Sequence, residues 1–561
     1  MVKEYNNQYK VNTFNKPVNI QVRVPGSKSI TNRALLIAAL SDGECVLRGC
    51  GMSDDSRVFI EALVSLGFDV QVDGCDVVIR GEGGSIPRKH GDVYVGSAGT
   101  AARFLTAMMG LSDGVYEVTS SDQMKTRPMR PLLEALELLG AAFTFHEQPY
   151  AFPFTVTGAA CMADRSKTDS MKIVHDTDSE RITHESWLTD SGKTDSESHG
   201  LTIPLNIDAS SQFLSALLLC APMIPSGFSI ELTGKREALS YVKITEQMMS
   251  TFIISDQHNR ITGIDKQKDD LFINPGENPS SGQPADGYNE CEGHCKRMSD
   301  ERSEEANRAW PEQSCIIGRR NNTIIVPSDV RYHARKYDIE PDVSAACYFY
   351  AMAAINGGSA HVRGVNRNNT QGDMQFLDVL EQMGCSVGYG SGDGPANSTF
   401  AVSESDGSGQ EINHRNPVGD IIVSRDPSTQ LHGIDVDMSD FSDQTMTLSV
   451  IAPFADSPTI IRGVGHIRNQ ESDRIHGIVT ELTRLGIRCE EYPDGLKIYP
   501  IDNNEKASDE TVIDTYNDHR MAMSFAVIGT RIPGVVIDNP DCSRKTFDAF
   551  FEILSGILEK G

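Results

Sequence analysis

Six times along the chain a short polar turn runs straight into a helix-length segment that is apolar on every side. The starts are Pro25-Gly26-Ser27-Lys28-Ser29, Gly96-Ser97-Ala98-Gly99-Thr100, Asp208-Ala209-Ser210-Ser211-Gln212, Glu340-Pro341-Asp342-Val343-Ser344, Asp440-Phe441-Ser442-Asp443-Gln444 and Tyr516-Asn517-Asp518-His519-Arg520. A helix that is apolar all round has to be buried. Six of them exclude a single layer of surface helices and require a packed, repeated α/β architecture. A second pattern recurs between them: an apolar helical run is stopped by a glycine, then followed by a strand-like run. It appears around Gly67, Gly140, Gly384 and Gly486. Glycine is the residue expected at the left-handed position that ends a helix. The stretch from Ile244 to Ile254 repeats the pattern without the glycine, and a helix from Phe547 to Leu558 closes the chain. Together these predict two α/β barrels of three units each, with the helix starts facing a common space. Each start offers unpaired N–H groups and a positive dipole end, which favour an anion by about 0.3–1 kcal/mol.

Three polar stretches interrupt the repeats, at about 158–200, 256–322 and 388–419. They hold too little apolar surface to offset the entropy of ordering and read as surface insertions. The 561 residues include 51 Lys and Arg against 78 Asp and Glu, a net charge of −27. That balance speaks against nucleic-acid binding and, at first sight, against anionic small substrates. No apolar run approaches the roughly 18–20 residues of a spanning helix. The segment Met1–Lys16 lacks the basic-then-apolar order of a secretion signal, so a cytoplasmic location is expected. Twelve cysteines are too few for a disulfide scaffold. Cys291-x-x-His294-Cys295 would supply half of a metal site, but Cys315 stands alone and no second half is found, so no metal is expected.

Read in order, Pro25-Gly26-Ser27-Lys28-Ser29-Ile30-Thr31-Asn32-Arg33, Gly96-Ser97-Ala98-Gly99-Thr100-Ala101-Ala102-Arg103, Met124-Lys125-Thr126-Arg127-Pro128 and Ser210-Ser211-Gln212-Phe213 resemble the substrate motifs of the 5-enolpyruvylshikimate-3-phosphate synthase family. So do Asp443-x-x-Met446-Thr447, Glu471-Ser472-Asp473-Arg474, Asn517-Asp518-His519-Arg520-Met521 and Lys545-Thr546-Phe547. The resemblance covers nearly all the chain outside the insertions. It implies two similar α/β domains, each of three βαβαββ repeats (an inside-out α/β barrel), with the active site in the interdomain cleft. Residues 24–339 would form the first domain and residues 1–23 with 340–561 the second. The implied reaction transfers the enolpyruvyl group of phosphoenolpyruvate to the 5-hydroxyl of shikimate 3-phosphate. The expected protein is a monomer with no cofactor.

By the same resemblance Asp443 is the base on the ring hydroxyl, kept ionised by its helix start, and Glu471 is the proton donor and acceptor at the methylene. Glu471 would need a pKa raised by burial. Lys28 would bridge both substrates and His519 would orient the second-substrate region. Phosphoenolpyruvate would be held by Lys28, Gly99, Arg127, Gln212, Arg474, Arg520 and Lys545. Shikimate 3-phosphate would be held by Lys28, Ser29, Arg33, Ser210, Ser211, Gln212, Tyr241, Asp443, His466 and Gln470. Arg103 reads either as a ligand or as a buried ion-pair partner. The chain departs from the family pattern at Gln470, His466, Phe104 and Ala238, where Lys, Asn, Pro and Ser are common. Gln470 reads as a hydrogen-bond donor without the charge, and Phe104 as a change that could shift its helix. Three rivals fit less well, a P-loop kinase least of all, because Gly-x-x-x-x-Gly-Lys-Ser/Thr is absent. The related UDP-N-acetylglucosamine enolpyruvyl transferases would need Asn after Lys28 and a reactive loop cysteine. A binding protein with a degenerate site would release no phosphate.

Overall fold

The computed structural model describes residues 7–161, 201–234, 240–253, 317–320, 322–390, 419–501 and 510–559. Ala238, Cys291, His294, Cys295, Cys315 and most of the three insertions lie outside these residues. Besides a single turn at Asp122–Lys125, twelve helices organise the described chain: α1 (Lys28–Leu40), α2 (Asp54–Ser65), α3 (Gly99–Gly110), α4 (Arg130–Leu138), α5 (Gln212–Leu219), α6 (Ser240–Ile253), α7 (Val343–Asn356), α8 (Phe376–Gln382), α9 (Thr445–Ile451), α10 (Arg474–Arg484), α11 (His519–Gly529) and α12 (Phe550–Leu558).

The six apolar segments become α1, α3, α5, α7, α9 and α11, and nearly every residue in them is buried. The amphipathic partners α2, α4, α8 and α10 each end as the glycine pattern predicts. Gly67, Gly140, Gly384 and Gly486 have φ of +92°, +102°, +100° and +79°. In α2 the closing bonds run from Phe68 N to the Leu63 carbonyl at 3.1 Å and from Gly67 N to the Val64 carbonyl at 3.0 Å. This pair of hydrogen bonds satisfies carbonyls that would otherwise be orphaned at the helix end.

Each helix pair is laid on a small mixed sheet containing one parallel pair. In the second unit, for example, strand His90–Tyr94 runs parallel to Val115–Thr119, and Phe154–Thr157 and Ala142–Phe145 follow antiparallel. Five sheets have four strands; the sixth, among the described residues, has three. The apolar residues gather into two cores, one drawn from Ile30–Ile339 and the other from Val11–Val22 and Val343–Leu554. Strand Val18–Arg23 pairs parallel with Gly358–Asn366 of the second core, although it runs directly into α1 of the first. Strand Lys336–Asp338 does the reverse, pairing with Glu44–Arg48 just before the chain enters α7. Strand Gln8–Lys10 also belongs to the second core, lying antiparallel to Val535–Asp538. The two connections run side by side where Gly26 bridges to Pro341 and Ser27 N donates to the Glu340 carbonyl at 2.8 Å.

Candidate active site

Five of the six inner-helix starts open onto one cleft of about 870 Å³ between the two cores. The start of α7 is the exception: Asp342 and Ser344 line an adjoining cavity that also touches Lys28, Ser29, Tyr241 and Arg520. Six cationic side chains (Lys28, Arg33, Arg103, Arg127, Arg474 and Arg520) and three carboxylates (Asp55, Asp443 and Glu471) line the cleft, an excess of three positive charges. The molecule is acidic overall, but charges beyond about 8 Å are largely screened at physiological salt. The local excess therefore sets what enters.

Arg474, at the first position of α10, is only 1% exposed. Its Nε and Nη2 grip Asp518 at 2.8 and 3.3 Å, Nη1 donates to Asp443 Oδ1 at 3.2 Å, and Nη2 also donates to Glu471 Oε2 at 2.9 Å. Asp518 is fully buried and also caps α11 through Arg520 N at 2.9 Å. The two residues before it, Tyr516 and Asn517, both have φ of +54°, a left-handed backbone that costs roughly 1–2 kcal/mol per residue. That turn swings Asp518, His519 and Arg520 toward the cleft. Arg520 Nη2 then meets Asp443 Oδ2 at 2.7 Å. Across the cleft the Tyr241 hydroxyl, from α6, donates to the same Asp443 oxygen.

Burial pushes the Asp443 carboxyl up, but Arg520 and Arg474, with the Tyr241 hydroxyl, outweigh it and hold the group below its ordinary value. The ionised state matches the sequence expectation; its cause does not. Asp443 sits in a short 3₁₀ turn, Ser442–Gln444, ahead of α9, and guanidinium groups rather than a helix dipole keep it charged. Glu471 corrects the expectation of a raised pKa. Burial does push it up, but Lys545, Arg474 and Arg127 surround it and hold it well below the usual carboxylate range. Lys545 Nζ lies 3.3 Å and Arg127 Nη1 3.9 Å from Glu471 Oε1. The His519 ring is buried, and neither nitrogen finds a hydrogen-bond partner among the described residues. Burial and the neighbouring Lys28 hold it well below its ordinary value and thus neutral.

These shifts fix a pH dependence. Asp443 and Glu471 bind protons less readily folded than unfolded, so their contribution to stability is complete above the ordinary carboxyl values of 3.8 and 4.5. It drains as pH falls below those values. Asp443→Asn is expected to flatten this acid limb, which urea unfolding at stepped pH would read; an unaltered slope would contradict it.

The remaining expected residues come from the first core. Lys28 Nζ reaches Asp55 Oδ2 at 3.3 Å. Arg33 spends its donors on protein: Thr245 Oγ1 at 2.8 Å, the Ser29 carbonyl at 2.9 Å, the Tyr241 carbonyl at 3.2 Å and Ser215 Oγ at 3.4 Å. It therefore holds Ser29 and Tyr241 in place as well as bordering the cleft. Phe104 does not break α3; it is buried, with the Arg33 guanidinium 5.5 Å from its ring centre. Arg103 has no ion pair among the described residues; its Nη1 donates to Gln212 Oε1 at 2.6 Å and its Nη2 to the Pro128 carbonyl at 3.1 Å. Ser210 and Ser211 line the cleft wall beside Gln212. His466 shares a 2.8 Å hydrogen bond with Ser442 Oγ, and the Gln470 side-chain oxygen accepts from Arg474. The Gln470 amide N–H groups are left as its donors, without the charge a lysine would add. Gln470→Lys is accordingly expected to lower the KM for shikimate 3-phosphate severalfold in steady-state assays, and an unchanged KM would refute this.

At Gly99, the first residue of α3, an added Cβ would sit 2.8 Å from Arg127 Nη2 and 2.9 Å from Arg103 Nη1. Both atoms are ends of flexible side chains, so Gly99→Ala is expected to fold but to displace the two guanidiniums. The KM for phosphoenolpyruvate should rise about tenfold, equal to ~1.4 kcal/mol; a rise below twofold would show that these groups do not bind it. Sequence reasoning missed Asp518 and Asp55. Asp518 stood inside a quoted motif at a helix-capping position, a usable signal, whereas nothing local distinguishes Asp55 from its neighbour Asp54.

Two α/β domains that close a cation-rich cleft around two pinned carboxylates form the kind of enzyme that holds clustered anions and moves protons between them. The chain belongs to the EPSP synthase family: the family model for EPSP synthase (3-phosphoshikimate 1-carboxyvinyltransferase) matches residues 13–185 and 316–554. A 3-phosphoshikimate 1-carboxyvinyltransferase of Trichormus variabilis is 34% identical over 540 residues, 96% of each chain. That of Methanospirillum hungatei is 30% identical, covering 97% of each. An EPSP synthase structure from Acinetobacter baumannii superposes over 98% of both chains with a TM-score of 0.64 at 19% identity, a likeness of fold.

Proposed function

We propose that the chain transfers the enolpyruvyl group of phosphoenolpyruvate to the 5-hydroxyl of shikimate 3-phosphate and releases phosphate. Asp443 takes the hydroxyl proton as the oxygen attacks C2 of phosphoenolpyruvate, while Glu471 protonates the C3 methylene. The tetrahedral adduct then expels phosphate as a proton returns from the methyl group to Glu471. The observation that carries this reading is the clasp of Arg474, Arg520, Arg127 and Lys545 on Asp443 and Glu471. Without substrate the two carboxylates occupy the cations that phosphate and carboxylate oxygens would otherwise claim. Phosphoenolpyruvate draws those cations away and adds negative charge beside Glu471, and both effects raise the Glu471 pKa toward a value at which it can carry a proton. Lys28, Gly99 and Gln212 complete the phosphoenolpyruvate site, and neutral His519 faces the reacting centre. Ser29, Ser210, Ser211, Tyr241, His466 and Gln470, positioned with Arg33, receive shikimate 3-phosphate. We place the domain boundaries at 23/24 and 339/340.

Among the described residues no group of three or more His, Cys, Asp and Glu side chains could hold a metal, and no helix is long and apolar enough to cross a membrane. The protein is proposed to act as a cytoplasmic monomer without a cofactor. Release of phosphate from phosphoenolpyruvate that depends strictly on added shikimate 3-phosphate would support the assignment. Folded protein that releases none under those conditions would overturn it.

A further inference from the structure

The loop Gly49-Cys50-Gly51 carries α1 on its back. A Cβ on Gly51 would lie 2.2 Å from the Gly26 carbonyl oxygen, and one on Gly26 would lie 2.0 Å from the Gly49 oxygen. The two segments thus meet backbone on backbone, immediately before Lys28. Gly51 N also donates to Thr31 Oγ1 at 3.0 Å, inside α1. Four residues on, Asp55 pairs with the Lys28 ammonium. Whatever moves this loop moves the lysine that faces the cleft.

The far side of the loop is held by a hairpin tip. Strands Asp69–Asp73 and Asp76–Arg80 turn through Gly74, with φ of +60°, and Cys75. Cys50 N donates to the Cys75 carbonyl at 2.6 Å, and Gly49 N donates to Asp76 Oδ1 at 2.9 Å. With standard bond lengths, one direct N–H to carbonyl bond holds the two Cα atoms roughly 4.5–6 Å apart. That lies inside the roughly 4.4–6.8 Å range that a disulfide spans. Neither cysteine is disulfide-bonded; Cys75 is exposed and Cys50 is buried. We propose that Cys50 and Cys75 are a reversible oxidation site, closed to a disulfide by peroxides, that couples redox state to the placement of Lys28.

The accessible thiol reacts first. The Cys75 thiolate attacks one oxygen of hydrogen peroxide, the O–O bond breaks, and hydroxide leaves and is protonated to water. Cys75 is now a sulfenic acid. The Cys50 sulfur attacks it, the S–S bond forms as the S–O bond breaks, and the departing hydroxyl takes the Cys50 proton as a second water. Two thiols lose two electrons and one peroxide gains them. Burial pushes the Cys50 thiol up to about 12, with Asp76 and Cys75 adding to the shift. Cys50 therefore resists oxidation alone and serves as the resolving partner.

The test uses the full chain, treated with hydrogen peroxide, alkylated and digested. The expected product is a cross-linked peptide joining Cys50 and Cys75, lighter by two hydrogens and restored by dithiothreitol. The kcat/KM for phosphoenolpyruvate should fall severalfold on oxidation and recover on reduction. Cys75→Ser should keep the basal rate and lose the response. Folded, oxidised protein without the cross-linked peptide would overturn the site, whether or not phosphate release is found. A cross-linked peptide with unchanged kinetics in an active enzyme would overturn the coupling to Lys28.

Discussion

Arg474→Met is expected to destabilise the protein by about 3–5 kcal/mol, the cost of removing one partner from a buried ion pair. The side chain is 1% exposed and contacts three carboxylates. Two of these keep other cations, Arg520 for Asp443 and Lys545 for Glu471. Asp518 is fully buried, and its two-pronged grip comes from Arg474. Methionine fills the space but leaves that charge uncompensated. Arg474→Lys should recover only part of the loss, because a single ammonium cannot reproduce the planar fork. Urea unfolding monitored by tryptophan-independent far-UV circular dichroism would measure both. A loss below 1 kcal/mol for Arg474→Met would refute this account of the pair.

Asp443→Asn should lower kcat by about 10²–10⁴, the usual range for a positioned general base, while the protein stays folded. The amide keeps the carboxylate's shape and still offers an oxygen to Arg520, but it cannot accept the hydroxyl proton. Because Tyr241 and Arg474 also contact this side chain, a moderate rise in KM for shikimate 3-phosphate should accompany the loss. The shikimate-dependent phosphate-release assay separates the two constants. A fall in kcat below tenfold would move the base role to another group.

The buried helices and their glycine stops were legible because each signal is local: a capping residue, a run of apolar side chains, a residue able to adopt positive φ. The cleft residues were legible as motifs, and the structure brings the segments carrying Lys28, Gly99, Arg127, Ser211, Asp443, Glu471 and Arg520 to one space. The charge state of Glu471 was not legible. It depends on Lys545 and Arg127, which lie 74 and more than 300 positions away in the chain and act through space. Strand Gln8–Lys10 escaped notice for another reason: three residues are too few to establish an alternation, and only pairing with Val535–Asp538 makes them a strand.

The exchanged strands also impose an order on biosynthesis. Val18–Arg23 leaves the ribosome early, yet its partner lies 340 positions later, and Gln8 pairs with a residue 530 positions away. The first-core sheets can assemble while these segments trail without partners. The second core can complete its hydrogen bonding only after translation has passed Val535–Asp538. Such distant pairing is slow and leaves open strand edges exposed for longer. Capture of the nascent chain by chaperones should therefore centre on the earliest segments rather than the latest ones.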